Sequence, residues 1–131
     1  MQRYAYMERV LKMRELVKAF KALSDETRLR ILNLLLEREC CVCEVMQALD
    51  ISQPRASRNL SALYDAGLLR LRRVGLWAVY SIDKESLGEY YIDLIEAVRK
   101  GLEENETALL DRQRLRSAKR VGPGCILRTQ Q

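Results

Sequence analysis

The sequence predicts a mainly α-helical fold that carries one small β-hairpin, and three features of the chain support this prediction. Short helical patterns occupy about 41–49 and 53–67, with a tight turn at 50–51 between them. Residues 68–82 alternate apolar and basic side chains, which is typical of a β-hairpin. Helix, turn, helix and hairpin in this order predict a winged helix-turn-helix domain.

Local signals mark the ends of these elements. Ser52 is a suitable N-cap for the second helix, and Pro54 is tolerated in its first turn. Gly67 occupies the position where that helix should end in a left-handed residue, and Gly75 occupies the bend of the hairpin. The hairpin is the wing of the predicted domain.

Further helices are predicted on both sides of this unit. One extends from about Met7 to Leu23, and Ser24 is the expected N-cap of the next. That next helix, TRLRILNLLLERE, is apolar over so wide a surface that we expect it at the centre of the core. The last helix should begin near Glu85 and could continue through Leu109.

The charge of the chain favours an anionic partner. The 131 residues are enough for one domain with a modest core, and the net charge is +5. Residues 52–73 contain five arginines and one aspartate, and residues 111–131 contain six basic residues and one acidic residue. We expect a DNA-binding and dimerisation domain over 1–117, followed by a flexible basic tail over 118–131 that contains Cys125.

Composition also excludes several classes of protein. No apolar run approaches the ~18 residues that cross a bilayer, and the N-terminal residues carry too much charge for a secretory signal. A cytoplasmic protein with no membrane partner is therefore expected. The chain has no histidine, which removes imidazole bases and histidine-ligated zinc.

The second helix of the predicted unit has a hydrogen-bonding outer face. Because the major groove admits one α-helix and displays base edges, this face suits double-stranded DNA. Arginines of the wing could hold the flanking phosphates, which sets register without reading sequence. A solvated amphipathic helix beside a surface hairpin is the alternative. The expected DNA contacts are Ser52, Gln53, Arg55, Ser57, Arg58, Arg70, Arg72 and Arg73.

A homodimer is also expected. A single winged module has a small footprint on DNA, and two-fold symmetry would supply two half-sites. The first and last helices carry more apolar surface than one core of this size needs.

Cys40, Cys41 and Cys43 cluster at the start of the first helix of the unit. In a reducing compartment such a cluster indicates metal or redox chemistry. Soft ions prefer thiolates, and a helix N-terminus, which we expect to be exposed, should lower the thiol pKa. In a regular helix Cys41 and Cys43 would lie about 200° apart, so sharing one ion should unwind or re-aim the first turn. Burial as small apolar residues is the alternative.

The segments LSDETRLRILNLL, ECCVCEV, ISQPRASRNLSALYDAGLL and VGLWAVYSI resemble the ArsR/SmtB family of metal-sensing repressors. The resemblance covers about 17–82, and its Cys-Val-Cys is typical of the arsenical-responsive branch. It implies a homodimer that occupies its operator until As(III) or Sb(III) binds, with no organic cofactor and no enzymatic activity.

Carried over by position, Cys41 and Cys43 match the inducer thiolates of that family. Met46 occupies a position where some relatives have a third cysteine. Three-thiolate coordination would therefore need Cys40, Cys125 or an outside thiol. Cys40 is favoured because it adjoins the pair and orders little extra chain, with Cys125 as an auxiliary thiol.

The sequence also allows other interpretations. The same fold could respond to Cd(II), Pb(II) or thiol oxidation, and the choice among As, Sb, Bi and Cd is open. A thiol enzyme would use Cys40 and Cys43 as a C-x-x-C motif, but no βαβ setting is visible. A protein-binding winged helix is a further alternative, which the outward Arg55 and Arg58 disfavour.

Overall fold

The structure, a computed structural model, describes residues 2–85 and 87–121, with side chains from residue 12 onward. Its helices are α1 (Gln2–Leu23), α2 (Glu26–Glu37), α3 (Val42–Leu49), α4 (Gln53–Asp65), α5 (Glu89–Leu102) and α6 (Glu106–Ser117). Its strands are β1 (Cys40–Cys41), β2 (Arg70–Val74) and β3 (Trp77–Ser81). The predicted mainly helical fold with a winged helix-turn-helix is confirmed.

Helix α2 lies at the centre of the core, as its apolar pattern predicts. Ile31, Leu32 and Leu34 have no exposed surface. The expected N-cap is wrong by one residue, because the side chain of Asp25 accepts the hydrogen bond from the Arg28 amide at 3.1 Å.

The helix-turn-helix unit consists of α3, a turn and α4. Asp50 ends α3 in the left-handed region at φ 54°, and Ser52 caps α4 by accepting a hydrogen bond from the Arg55 amide. Gly67 follows α4 at φ 84°, a conformation that few residues other than glycine adopt. The local signals for this unit are confirmed.

The wing is a three-stranded sheet in the order β1-β3-β2 rather than a hairpin alone. Strands β2 and β3 form the predicted antiparallel hairpin, and β1 adds to the other side of β3. In that added pair, Cys40 lies opposite Tyr80 and Cys41 lies opposite Val79. A strand of two residues leaves no periodic signal in a sequence, so the prediction placed these cysteines at a helix start.

The single last helix of the prediction is two helices. Helix α5 ends at Leu102, and Asn105 caps α6 by accepting a hydrogen bond from the Ala108 amide at 3.0 Å. The break lets α6 fold back onto α2, where the Arg30 guanidinium donates to both oxygens of Asp111 at 2.7 and 2.9 Å. Residues 118–121, which follow α6, consequently lie beside α3.

An apolar surface remains on α1 and α5. Met13, Val17 and Phe20 of α1 are 69%, 47% and 53% exposed. Phe20 also lines an apolar groove with Leu94 and Val98 of α5. Within residues 2–85 and 87–121, no helix combines the length and apolar character that a membrane span requires.

Candidate DNA-reading face and thiol site

Helix α4 presents its polar face to solvent, with Ala56, Leu60 and Leu63 buried on the opposite side. Arg58 is exposed, and its side chain makes no hydrogen bond with any described residue. Its guanidinium is therefore available to an anionic partner.

The other predicted DNA contacts in and before α4 already have partners. Gln53 donates to the Ser57 hydroxyl at 2.8 Å, and Arg55 donates to the Thr27 hydroxyl of α2 at 2.8 Å. Ser52 is occupied as the N-cap. Such bonds hold the side chains in place, and a base or phosphate would have to share or replace them.

The three arginines of the wing also differ in whether their side chains already have partners. Arg70 forms an ion pair with Asp83, and Arg72 donates to both carboxylate oxygens of Glu39 at 2.6 and 2.7 Å. Arg73 is exposed and forms no ion pair within the described part of the chain. The Arg72–Glu39 pair also connects the wing to the residue that precedes the cysteines.

Cys41 and Cys43 form a pair of close sulfurs, which we call the thiol pair after its reduced form, because Cys43 is disulfide-bonded in this structure. Cys41 is the N-cap of α3 in extended conformation, at φ −88° and ψ 171°, and Cys43 lies in the first turn. Their Sγ atoms are 3.0 Å apart. The expected separation of about 200° holds only inside a regular helix. Since Cys41 lies just outside the helix, the two sulfurs already converge, and the helical geometry from which a change of the first turn was predicted does not apply to Cys41.

Cys40 faces another part of the molecule. It belongs to the main core, whereas the thiol pair packs with Val79 in a small separate cluster that Trp77 borders. The reason is that successive residues of a strand point to opposite faces. The Cys40 thiol donates to the carbonyl of Arg38 at 3.5 Å.

The cysteines are buried, contrary to the expectation of an exposed helix start. Cys40, Cys41 and Cys43 are 0%, 1% and 3% exposed. Burial raises the pKa of the Cys40 thiol to about 12, and it also raises the pKa of Cys41. The Glu44 carboxylate adds to both increases because it repels a thiolate. The expected lowering by the helix N-terminus is therefore outweighed.

Glu44 is a buried carboxylate at this site, 3% exposed, that the sequence reasoning missed. Its Oε1 accepts from the Cys41 amide and from Nε of Arg120, each at 2.9 Å, and Arg38 forms an ion pair with the other oxygen. Burial opposes ionisation, but these three hydrogen bonds prevail and lower the pKa of Glu44. The available signal was a glutamate three residues after a cap position, the spacing of a capping box.

The chain after α6 returns to the thiol pair. Gln47 of α3 makes two hydrogen bonds to the backbone of Lys119, at 3.1 Å to its amide and 2.7 Å to its carbonyl. That carbonyl is 3.8 Å from Sγ of Cys43. Cys125, the remaining predicted thiol, lies outside the described residues.

The described residues supply two convergent sulfurs but no complete metal site. Across 2–85 and 87–121, no group of three or more histidine, cysteine, aspartate or glutamate side chains is arranged to hold a metal ion. Two sulfurs suit a soft ion. A third ligand would have to come from a residue outside the described part of the chain, from another molecule, or from a described residue that moves towards the pair.

Comparison with known proteins shows similarity to bacterial transcriptional regulators. A family model described as bacterial regulatory protein, arsR family, matches residues 25–70. The arsenic resistance transcriptional regulator ArsR1 of Pseudomonas putida is 48% identical over 67 residues, which cover 50% of this chain and 52% of that protein. The arsenical resistance operon repressor of Bacillus subtilis is 33% identical over 76 residues, 57% of this chain and 72% of that protein.

A cadmium resistance transcriptional regulatory protein CadC homolog of Staphylococcus aureus is 42% identical over 72 residues, 54% of this chain and 60% of that protein. The chain thus spans little more than half the length of several relatives that it matches. Among solved structures, the homodimeric winged helix-turn-helix DNA-binding domain of Mb0332 from Mycobacterium bovis is similar, with a TM-score of 0.61 and 31% identity. That match covers 74% of this chain and 86% of the other.

Proposed function

The chain belongs to the arsR family of bacterial regulatory proteins, and on this premise we propose that it is an operator-binding transcriptional repressor that As(III) or Sb(III) releases from DNA. The observation that carries the proposal is the thiol pair, whose sulfurs are 3.0 Å apart at the start of α3. Helix α3 is the first helix of the helix-turn-helix unit. The identity to arsenic resistance regulators supports the choice of ion.

DNA binding would use α4 and the wing. Arg58 is free to reach base edges or phosphates, and Arg73 is free to hold the flanking backbone. Gln53, Ser57 and Arg55 would join by exchanging their internal hydrogen bonds. Arg70 and Arg72 would contact phosphates by exchanging their ion pairs with Asp83 and Glu39. Ser52 would contact DNA at the start of α4, where it is the N-cap.

The apolar face of α1 and α5 supports a homodimer. Leaving Met13, Val17 and Phe20 exposed in a monomer is unfavourable, and a second copy would cover them. Two copies would present two α4 helices to half-sites roughly 34 Å apart. We propose that this dimer acts in the cytoplasm on double-stranded promoter DNA, as a binding protein without catalytic function.

The inducer would bind to thiolates of Cys41 and Cys43. Cys40 suits a third position poorly, because recruiting its sulfur would mean turning strand β1 over and leaving a gap in the main core. Cys125 is the other cysteine of the chain, and its segment starts from residues that already contact α3. We therefore assign the third sulfur to Cys125, with an outside thiol as its substitute.

Two physical connections could transmit binding to DNA. Helix α3 packs against α4, and β1 is hydrogen-bonded to β3 of the wing. A shift of Cys41 towards a bound ion would therefore move both DNA-contacting elements. Changing an operator from 99% occupied to 99% free requires ~5.5 kcal/mol of differential binding. Formation of two or three metal–thiolate bonds is a sufficient source.

A binding assay on duplex DNA from the gene's own promoter tests the proposal. Wild-type protein should bind it, lose affinity steeply as salt rises and release it when As(III) is added. Arg58→Ala should lose specific binding while remaining a folded dimer, whereas Arg116→Ala, an exposed arginine of α6, should bind normally. An unchanged midpoint for Arg58→Ala would reject α4 as the reading helix.

A second candidate keeps the fold and changes the signal to Cd(II) or Pb(II). The identity to the cadmium resistance regulator homolog favours it. Thiol oxidation is a related option because the two sulfurs of the pair are adjacent. Parallel titrations with each ion and with an oxidant, read by thiolate absorbance and by DNA release, would separate these signals.

A further inference from the structure

The three arginines of strand β2 lie on two different faces of the wing. Arg70 and Arg72 share one face and Arg73 lies on the other, because successive residues of a strand point in opposite directions. Both arginines of the first face are paired with carboxylates, Arg70 with Asp83 and Arg72 with Glu39. We call Glu39 and Asp83 the wing carboxylates. Their pairing neutralises one face of β2 and leaves Arg73 on the other face.

The pair of Arg72 and Glu39 has the geometry with which a guanidinium binds an oxyanion. Nη2 of Arg72 is 2.6 Å from one carboxylate oxygen of Glu39 and 2.7 Å from the other, and its Nε is 3.2 Å from the second oxygen. A phosphate is bound through the same fork of donors. Both side chains are partly exposed, at 60% and 34%. Glu39 therefore occupies donors that a phosphate of DNA needs, at a place that DNA can reach.

The sheet keeps the Glu39 carboxylate close to Arg72. Glu39 directly precedes β1, and β3 lies between β1 and β2, so its side chain reaches Arg72 across β3. The Glu39 carbonyl also accepts a hydrogen bond from Arg38 at 3.2 Å. Because both ends of the pair are attached to paired strands, the carboxylate has a high effective concentration at the guanidinium. A phosphate has to displace a ligand that does not diffuse away.

The second wing carboxylate is fixed in a similar way. Asp83 follows β3, and one of its carboxylate oxygens accepts a hydrogen bond from the Glu85 amide at 3.0 Å. Its other oxygen accepts from Arg70. The Asp83 side chain is 20% exposed, whereas that of Arg70 is 66% exposed. Asp83 is thus held by its own loop beside an arginine that solvent reaches.

We propose that the wing carboxylates are built-in competitors of DNA, which occupy Arg70 and Arg72 in the free protein and are displaced by phosphates when the wing binds. The DNA partner in this inference rests on the proposed function. Phosphate contacts carry no sequence information, so the competition lowers affinity for every duplex by a similar factor. The wing carboxylates therefore set the overall affinity of the wing and leave sequence preference to α4.

The test compares two variants that lose the same charge. Glu39→Gln keeps the size of the side chain and removes its charge. Asp50→Asn is the matched control in the turn of the helix-turn-helix unit, because Asp50 is exposed and its side chain has no hydrogen bond or ion pair among the described residues. Asparagine also tolerates the left-handed conformation of that position. Thermal unfolding verifies that each full-length variant is folded.

Fluorescence anisotropy with labelled operator and with an unrelated duplex of equal length measures affinity. Glu39→Gln should bind both duplexes about fivefold more tightly, the upper value for release of an exposed ion pair. Asp83→Asn should act in the same direction through Arg70. Asp50→Asn should gain less than about twofold, because an unpaired surface charge acts only through a screened potential. Equal affinities of Glu39→Gln and Asp50→Asn would overturn the proposal.

Removal of Arg72 separates competition from simple repulsion between Glu39 and DNA. In an Arg72→Ala background, Glu39→Gln should improve affinity no more than Asp50→Asn does, because no arginine remains to be released. A gain of about fivefold that persists in this background would overturn the competition and indicate repulsion instead.

The two duplexes separate this inference from the proposed function. Tighter binding of Glu39→Gln to both duplexes, with no preference for the operator in any variant, would retain the competitors and reject the operator-binding repressor. Preference for the operator in all variants, with no gain in Glu39→Gln, would retain the repressor and reject the competitors.

Discussion

Cys40 and Cys41 are neighbours in strand β1, yet they lie in two different regions of the molecule. Cys40 is part of the main core, and Cys41 joins Cys43 in the small cluster beneath the wing. The two positions have the same side chain and almost the same burial. The difference shows that strand geometry, rather than adjacency in the sequence, decides which sulfurs can act together.

The largest expected effect concerns the response to As(III). Cys41→Ser and Cys43→Ser should each still bind operator DNA but fail to release it, because each loses a proposed ligand and with it much of the ~5.5 kcal/mol required. Cys40→Ser should still release DNA. Fluorescence anisotropy of labelled operator against As(III) concentration measures this. A wild-type response from Cys41→Ser, or none from folded Cys40→Ser, would reverse the assignment of the two regions.

The next largest effect is a loss of stability on substitution of Glu44, which accepts a hydrogen bond from the Cys41 amide beside the thiol pair. Glu44→Gln should lower the free energy of unfolding by about 3 kcal/mol at neutral pH, because Arg38 and Arg120 lose a buried partner. Glu103→Gln, an exposed residue, is the control. Urea unfolding gives both values.

The pH dependence checks the cause of that effect. The folded pKa of Glu44 is lowered, so its contribution is present above the unfolded pKa of about 4.3 and is lost as pH falls through the folded value. The difference between wild type and Glu44→Gln should therefore shrink on acidification. A difference that stays constant down to the lowest pH would indicate lost packing rather than lost charge.

The burial of Cys40 in the main core should make the stability of the protein fall at alkaline pH. An unfolded thiol has a pKa of about 8.5, whereas burial and Glu44 raise that of Cys40 to about 12. Between these values only the unfolded chain loses the proton, so stability should fall by up to about 1.4 kcal/mol per pH unit. Cys40→Ala should be less stable at neutral pH but show a flatter decline from pH 9 upward. An identical slope in denaturant titrations would contradict the assigned burial.

The smallest expected effect concerns the third sulfur. Truncation after Val121 keeps residues 118–121 but removes Cys125, and it should reduce the sulfur count around As(III) from three to two with affinity about tenfold weaker. Cys40→Ser should retain three sulfurs. X-ray absorption in the absence of added thiol measures the count. Three sulfurs in the truncated protein together with two in Cys40→Ser would favour Cys40 instead.

Much of the architecture was determined by the sequence alone, because it depends on local signals. The turn before α4, the cap at Ser52 and the glycines at 67 and 75 each reflect backbone preferences of one or a few residues. Periodic apolar residues identified α2 as the central helix. The outward position of Arg58 followed from the 3.6-residue period of α4.

The thiol site was decided by tertiary structure. Strand β1 exists only because β3 offers it a partner, and this pairing takes Cys41 out of the helix, brings its sulfur to Cys43 and turns Cys40 away. The raised thiol pKa values depend on burial, which comes from packing and cannot be read from spacing. Residues 118–121 contact α3 only because Asn105 divides the last helix and α6 folds back. Each feature joins residues far apart in the chain, and a local pattern carries no information about such contacts.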